Sequence, residues 1–212
     1  MLRILSDKIR EHICLNMVSY IVLTVLFSLG IIGGAYIYNS YSKEEIGILY
    51  EFFSDAKEIY KEGSGNNLEI FKNSLSSSFQ TVFLIWLLGF TVIGIPVVFF
   101  LIIKKGFISG LITCFLVSNY SNGILCAIFL FLVQSAILIP AIFFISNYSI
   151  SLSKTLIGMV SGKIRFKVNF KYYLLFYLGI FFAIGVVVII YSLMEGYFTS
   201  NLLKWFFINT EF

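Results

Sequence analysis

The sequence predicts an all-α, polytopic transmembrane helix bundle of about five spans, with the N-terminus inside and the C-terminus outside. Three observations predict it. First, 59% of the 212 residues are hydrophobic and only 12% are charged, where soluble domains run near one half and one quarter. Mean hydropathy is +0.94. Second, several uninterrupted apolar runs reach the length of about 20 residues that a helix needs to cross hydrocarbon. Third, lysine and arginine fall unevenly between those runs, which sets orientation. The whole chain, 1–212, reads as one integral membrane domain.

The predicted spans are 18–38, 81–103, 106–118, 124–145 and 172–194. The first contains no charge, the second stops at Lys104-Lys105, and the last stops at Glu195. The stretch 106–118 is short: at 1.5 Å per residue it reaches only about 20 Å, enough for a thin span or one arm of a re-entrant hairpin.

Charge decides whether it crosses. The start carries Arg3, Lys8 and Arg10 beside Asp7 and Glu11. The loop 40–78 is net acidic. The connector 146–171 carries Lys154, Lys163, Arg165, Lys167 and Lys171 with no acid. With the N-terminus in the cytoplasm, that connector lies inside only if 106–118 crosses. The positive-inside rule therefore favours the crossing. The basic start, apolar run and Gly33-Gly34-Ala35 also resemble a signal peptide. The apolar run is longer than a signal core, so an uncleaved signal anchor is expected.

The loop 40–78 is expected outside the cytoplasm. Ile46, Leu49, Tyr50, Phe53 and Tyr60 recur at helical spacing, and Leu68, Phe71, Leu75 and Phe79 resume the pattern after Gly63-Ser64-Gly65. Two short amphipathic helices follow from this. They serve either as a docking surface or as a connector packed on its own bundle, and the connector is the simpler reading. Trp205 and Lys204 suit an interfacial anchor near the C-terminus. The basic connector suits anionic headgroups. Topology alone accounts for its charge, so no nucleic acid is expected as a partner.

No catalytic set is apparent. His12 is the single histidine and has no nucleophile at a suggestive spacing. Cys14, Cys114 and Cys126 give neither a disulfide framework nor zinc spacing; Cys114 and Cys126 lie in apolar segments, where buried packing thiols are expected. Phosphate-loop and His-Glu-x-x-His motifs are missing. No cofactor or metal is expected, and the protein reads as a non-enzyme. The predicted spans hold no ionisable residue, which lowers the case for an ion-coupled pump.

The polar and breaking residues inside the spans are packing candidates. Pro96 interrupts the second span. Gln134 needs a partner in hydrocarbon and tends to pin helix to helix. Pro140 frees a carbonyl that another helix must satisfy. Gly106 and Gly110 allow close approach or a re-entrant turn. A transport path is the competing use of Pro96 and Gln134.

These residues also carry a resemblance. Phe71-Lys72-Asn73-Ser74, then Trp86-Leu87-Leu88-Gly89-Phe90-Thr91-Val92-Ile93-Gly94-Ile95-Pro96, Lys105-Gly106-Phe107-Ile108-Ser109-Gly110, and Val133-Gln134-Ser135 through Ile139-Pro140 resemble the stage II sporulation protein M family. The likeness spans nearly the whole chain and is strongest over 71–140. Asn73 joins the packing candidates on this ground. Ser135 departs from the asparagine or glycine expected after the glutamine.

The resemblance implies a multi-pass protein of the bacterial cell membrane, in the mother cell's septal and engulfing membrane. It implies assembly with two peptidoglycan hydrolases, stage II sporulation proteins D and P, during septal wall remodelling and forespore engulfment. The chain would then be a scaffold and recruiter among membrane lipids. A permease-like transporter subunit is the alternative.

Overall fold

The computed structural model describes residues 14, 16–51, 67–120, 122–161 and 170–202. His12, the loop segment 52–66, the basic residues 163–167 and the C-terminal 203–212 lie outside them. The described residues form an all-α bundle. Helix α1 is Met17–Ser40, α2 is Asn67–Leu88 and α3 is Gly94–Asn119. Helix α4 comprises Gly123–Val133, a π-helical turn Gln134–Leu138, and Ile139–Val160. Helix α5 comprises Phe170–Leu193 and a second π-helical turn, Met194–Thr199. Among the described residues, four helices are long and apolar enough to cross a membrane: α1, α3, α4 and α5.

Contacts fix the directions. Gly30 meets Gly106 and Gly34 meets Leu111, so α1 and α3 run parallel. Ser74 meets Glu195 while Phe83 meets Phe181, so α2 and α5 are antiparallel. Ser149 reaches Ile85 and Ser153 reaches Leu88, so α4 runs with α2. Consecutive helices thus alternate in direction through the bundle.

The main core lies where α1, α2, α3, α4 and α5 converge, around Leu23, Val82, Val98, Ile145 and Val188. A smaller cluster at the other end joins Tyr38, Phe115, Leu116 and Tyr120. There the Asn119 Nδ2 donates to the Tyr38 hydroxyl at 2.7 Å. Leu49 and Tyr50, in a helical stretch over 43–51, pack against this cluster. The described part of the amphipathic loop therefore lies on its own bundle.

Helix boundaries differ from the sequence reading in four places. The chain does not run helical through 81–103 and break at Lys104-Lys105. It breaks at 89–93 instead, and Gly94–Asn119 is one helix of 26 residues. Residues 106–118 are its second half, neither a thin span nor a re-entrant arm. Residues 67–80 belong to α2 itself, and no separate surface helix forms there. Helix α4 extends to Val160, well past residue 145. Helix α5 passes through Glu195, where the last span was expected to stop.

The position of Pro96 explains the first difference. It occupies the third position of α3, where the first backbone N–H groups have no helical partner and a missing one is harmless. A helix running through from residue 81 would have put the same proline in its interior, at about 3 kcal/mol. Pro96 therefore starts a helix and does not interrupt one.

The break itself would be costly in an apolar setting unless its carbonyls found donors. They do. Ser149 Oγ donates to the Ile85 carbonyl at 2.7 Å and the Tyr177 hydroxyl to that of Trp86 at 2.7 Å. Ser153 Oγ reaches the Thr91 carbonyl at 2.8 Å. Gly94 sits so close to the Leu88 carbonyl and to Ser153 that a Cβ would collide with both.

Candidate functional site

One group of polar and charged side chains lies between α3, α4 and α5, apart from the serines at the 89–93 break. A cavity of about 160 Å³ opens there. Its polar lining is Ser109 and Thr113 from α3, Gln134 from α4, and Tyr191, Glu195 and Thr199 from α5. Gln134 begins one π-helical turn and Glu195 lies in the other. A π turn widens the helix by one residue and is frequent at functional sites.

Glu195 is the hub. Ser74 of α2 donates to its carboxylate, and Tyr191, one turn earlier on α5, lines the same cavity. The Lys105 ammonium interacts with it electrostatically across the interior. Ser109 Oγ lies 3.1 Å from the Gln134 Oε1 and 3.1 Å from the Lys105 carbonyl. Next to the cavity-lining Thr199, Ser200 Oγ donates to Asn67 Oδ1 at 3.2 Å and ties α5 to the start of α2.

The cavity is held in place by an unusually close helix pair. Gly30 and Gly34 of α1 face Gly106 and Gly110 of α3. A Cβ on Gly34 would strike the Phe107 carbonyl, and one on Gly106 the Phe27 carbonyl. Both glycine pairs have the four-residue spacing that brings membrane helices into backbone contact. Gly34 also falls within the Gly33-Gly34-Ala35 segment that resembles a cleavage site, and α1 runs through it unbroken.

Of the packing candidates, Gly106 and Gly110 lie at the α1–α3 contact, and Gln134 lines the cavity. Pro140 is exposed and lies two residues after the π turn of α4. Pro96 lies in the first turn of α3, at the far end of that helix from Tyr120. Asn73 is exposed on α2, beside Ser74.

Sequence reasoning missed Lys105 and Glu195 as interior groups. It had placed them as the ends of spans at 103 and 194, so the spans appeared free of ionisable residues. The continuity of α3 and α5 brings both inside. It also missed Gly30 and Gly34, although Gly30-x-x-x-Gly34 repeats the spacing of Gly106-x-x-x-Gly110.

The order of these features along the chain is that of a known family. The model of the family described as Stage II sporulation protein M matches residues 23–200. The chain belongs to this family. The match takes in all of α2, α3 and α4 and the π turn of α5, and so every residue of the cavity. No curated protein and no solved structure matches the chain. This stage II sporulation protein M family member is thus a multi-pass membrane protein of sporulation. Among the described residues, no cluster of three or more His, Cys, Asp or Glu could hold a metal ion. Cys126 is buried and Cys114 half-buried, both unbonded.

Proposed function

We propose that the protein is a non-enzymatic membrane scaffold that recruits peptidoglycan hydrolases to the septum during endospore formation. Its partners are the stage II sporulation proteins D and P. It acts in the mother cell's septal and engulfing membrane, where their remodelling of the wall lets one membrane engulf the forespore. The observation that carries this reading is the family match over residues 23–200. The interior polar groups fit the same view: they tie helix to helix, as Ser74 does with Glu195.

Five crossings with the N-terminus in the cytoplasm complete the proposal. The alternating helix directions support them, with α2 as the fifth crossing helix. The connector after Ser161 then lies inside with its basic residues. The loop after Ser40 lies outside, within reach of the wall.

Affinity capture of the detergent-solubilised protein from sporulating cells tests the scaffold. Both hydrolases should be retained, and loss of both under conditions that keep the complex intact would sink the proposal. A cysteine introduced by Ser161→Cys should resist membrane-impermeant labelling in whole cells. Ready labelling would reverse the topology.

The cavity gives a second reading its specific support. A permease-like subunit would line a path with groups such as Gln134 and Glu195. A neighbouring ATPase gene would favour it, and neighbouring sporulation genes the scaffold. Retained function in a Gln134→Leu variant would count against a polar path.

A further inference from the structure

We propose that the cavity between α3, α4 and α5 is a binding site for a small uncharged hydrogen-bonding molecule, either water or a small polyol. The inference rests on the cavity's geometry and is independent of the hydrolase partners.

The first observation is Thr199. Its side chain is only 7% exposed and faces the cavity, and its hydroxyl has no hydrogen-bond partner in the protein. A buried hydroxyl left so carries a desolvation penalty, which a ligand in the cavity would relieve. The second is Gln134. Ser109 carries one hydroxyl hydrogen, yet the Gln134 oxygen and the Lys105 carbonyl are both within its reach. It donates to one at a time. The Gln134 carboxamide, with two donors and an acceptor oxygen, keeps bonding capacity for a guest.

Charge selects the class of guest. The carboxylate of Glu195 already interacts electrostatically with Lys105 and accepts from Ser74. Glu195 is the one charged residue of the lining, so an added anion would meet its carboxylate, and an added cation would have to compete with Lys105 for it. A neutral molecule that both donates and accepts meets neither penalty. Size admits it, since the cavity is about 160 Å³ and one water requires only about 10–15 Å³. Both π turns flank the cavity, so the widened backbone is what opens the space.

The test is cysteine reactivity in reconstituted vesicles. The full-length chain carries Cys14→Ser, Cys114→Ala and Cys126→Ala, and the reagent is methyl methanethiosulfonate. Only a hydrated cysteine forms the reactive thiolate, so Thr199→Cys and Thr113→Cys should react at least about tenfold faster than Val188→Cys in the apolar core. Equal, slow rates at all three positions would overturn the site. Added glycerol that slows labelling assigns a polyol, and unchanged labelling assigns water. The near-isosteric Thr199→Val variant supplies a second readout. Its melting temperature should fall, because a bound partner is lost. An unchanged or raised melting temperature would mean that the hydroxyl had no guest, and would equally overturn the proposal.

Discussion

The Ser153 hydroxyl donates to the Thr91 carbonyl at 2.8 Å, and through this bond α4 carries the turn between α2 and α3. Ser149 does the same for the Ile85 carbonyl one turn earlier. The last carbonyls of a helix have no partner within it, and the two serines that serve them are fully buried. Ser153→Ala should therefore lower the unfolding free energy by about 1–2 kcal/mol, and Ser149→Ala/Ser153→Ala by more than either alone. Denaturation of the micelle-bound protein by increasing sodium dodecyl sulfate measures both. A wild-type midpoint in the double variant would show that the turn needs no support from α4.

The glycine contact between α1 and α3 makes a sharper contrast. At Gly34 and Gly106 the obstacle to a Cβ is backbone of the facing helix, which cannot swing aside. Gly34→Ala and Gly106→Ala should each destabilise by about 3 kcal/mol, the upper end of overpacking costs. Gly179 has open space around its Cβ position. There the same substitution only removes the helix penalty of glycine, so Gly179→Ala should be neutral or stabilise by up to about 1 kcal/mol. Equal losses at Gly34 and Gly179 in the same assay would remove the close contact as the explanation.

Lys105 and Glu195 predict an energetic coupling across the cavity. Removing either alone leaves the other charge without its partner in a poorly solvated interior. Lys105→Ala and Glu195→Ala should each destabilise, and the double variant should lose about 1 kcal/mol less than the sum of the two. Strict additivity in this double-mutant cycle would show that the two charges do not sense each other.

The membrane class was legible because it depends on composition and run length, which no tertiary contact can alter. The interior charges were not legible, for a particular reason. A hydropathy reading ends a span at its first charge, so Lys104-Lys105 and Glu195 became boundaries. In the folded chain Lys105 and Glu195 interact electrostatically, and the helices run on. The true break at 89–93 was hidden because its sequence is apolar. What permits it is the set of donors on Ser149, Ser153 and Tyr177, which lie more than 55 residues away in the sequence. Gln134 could be found as a polar residue in an apolar run. Thr199, beyond the expected end of the last span, could not.

The helix that follows Ser42 should respond to acid. The Ser42 N–H donates to the Glu45 carboxylate at 2.8 Å, the Ser42 hydroxyl donates to the same oxygen at 2.9 Å, and the Glu45 N–H returns a bond to that hydroxyl at 3.4 Å. This is a capping box, in which serine and glutamate satisfy each other's free backbone donors. The backbone bond from Ser42, and then its side-chain bond, lower the Glu45 pKa below the ordinary glutamate value. A folded-state pKa below the unfolded one contributes stability above the unfolded value, and that stability is lost as pH falls through the folded value. The helical stretch over 43–51 should thus be fully capped at neutral pH and fray in acid, below the range where a free glutamate titrates. The Ser42 amide resonance of the micelle-bound protein should shift with that transition. Glu45→Gln keeps an acceptor oxygen but cannot titrate, so the Ser42 shift should vanish in it. A shift of the same size in Glu45→Gln would mean that another group reports at Ser42.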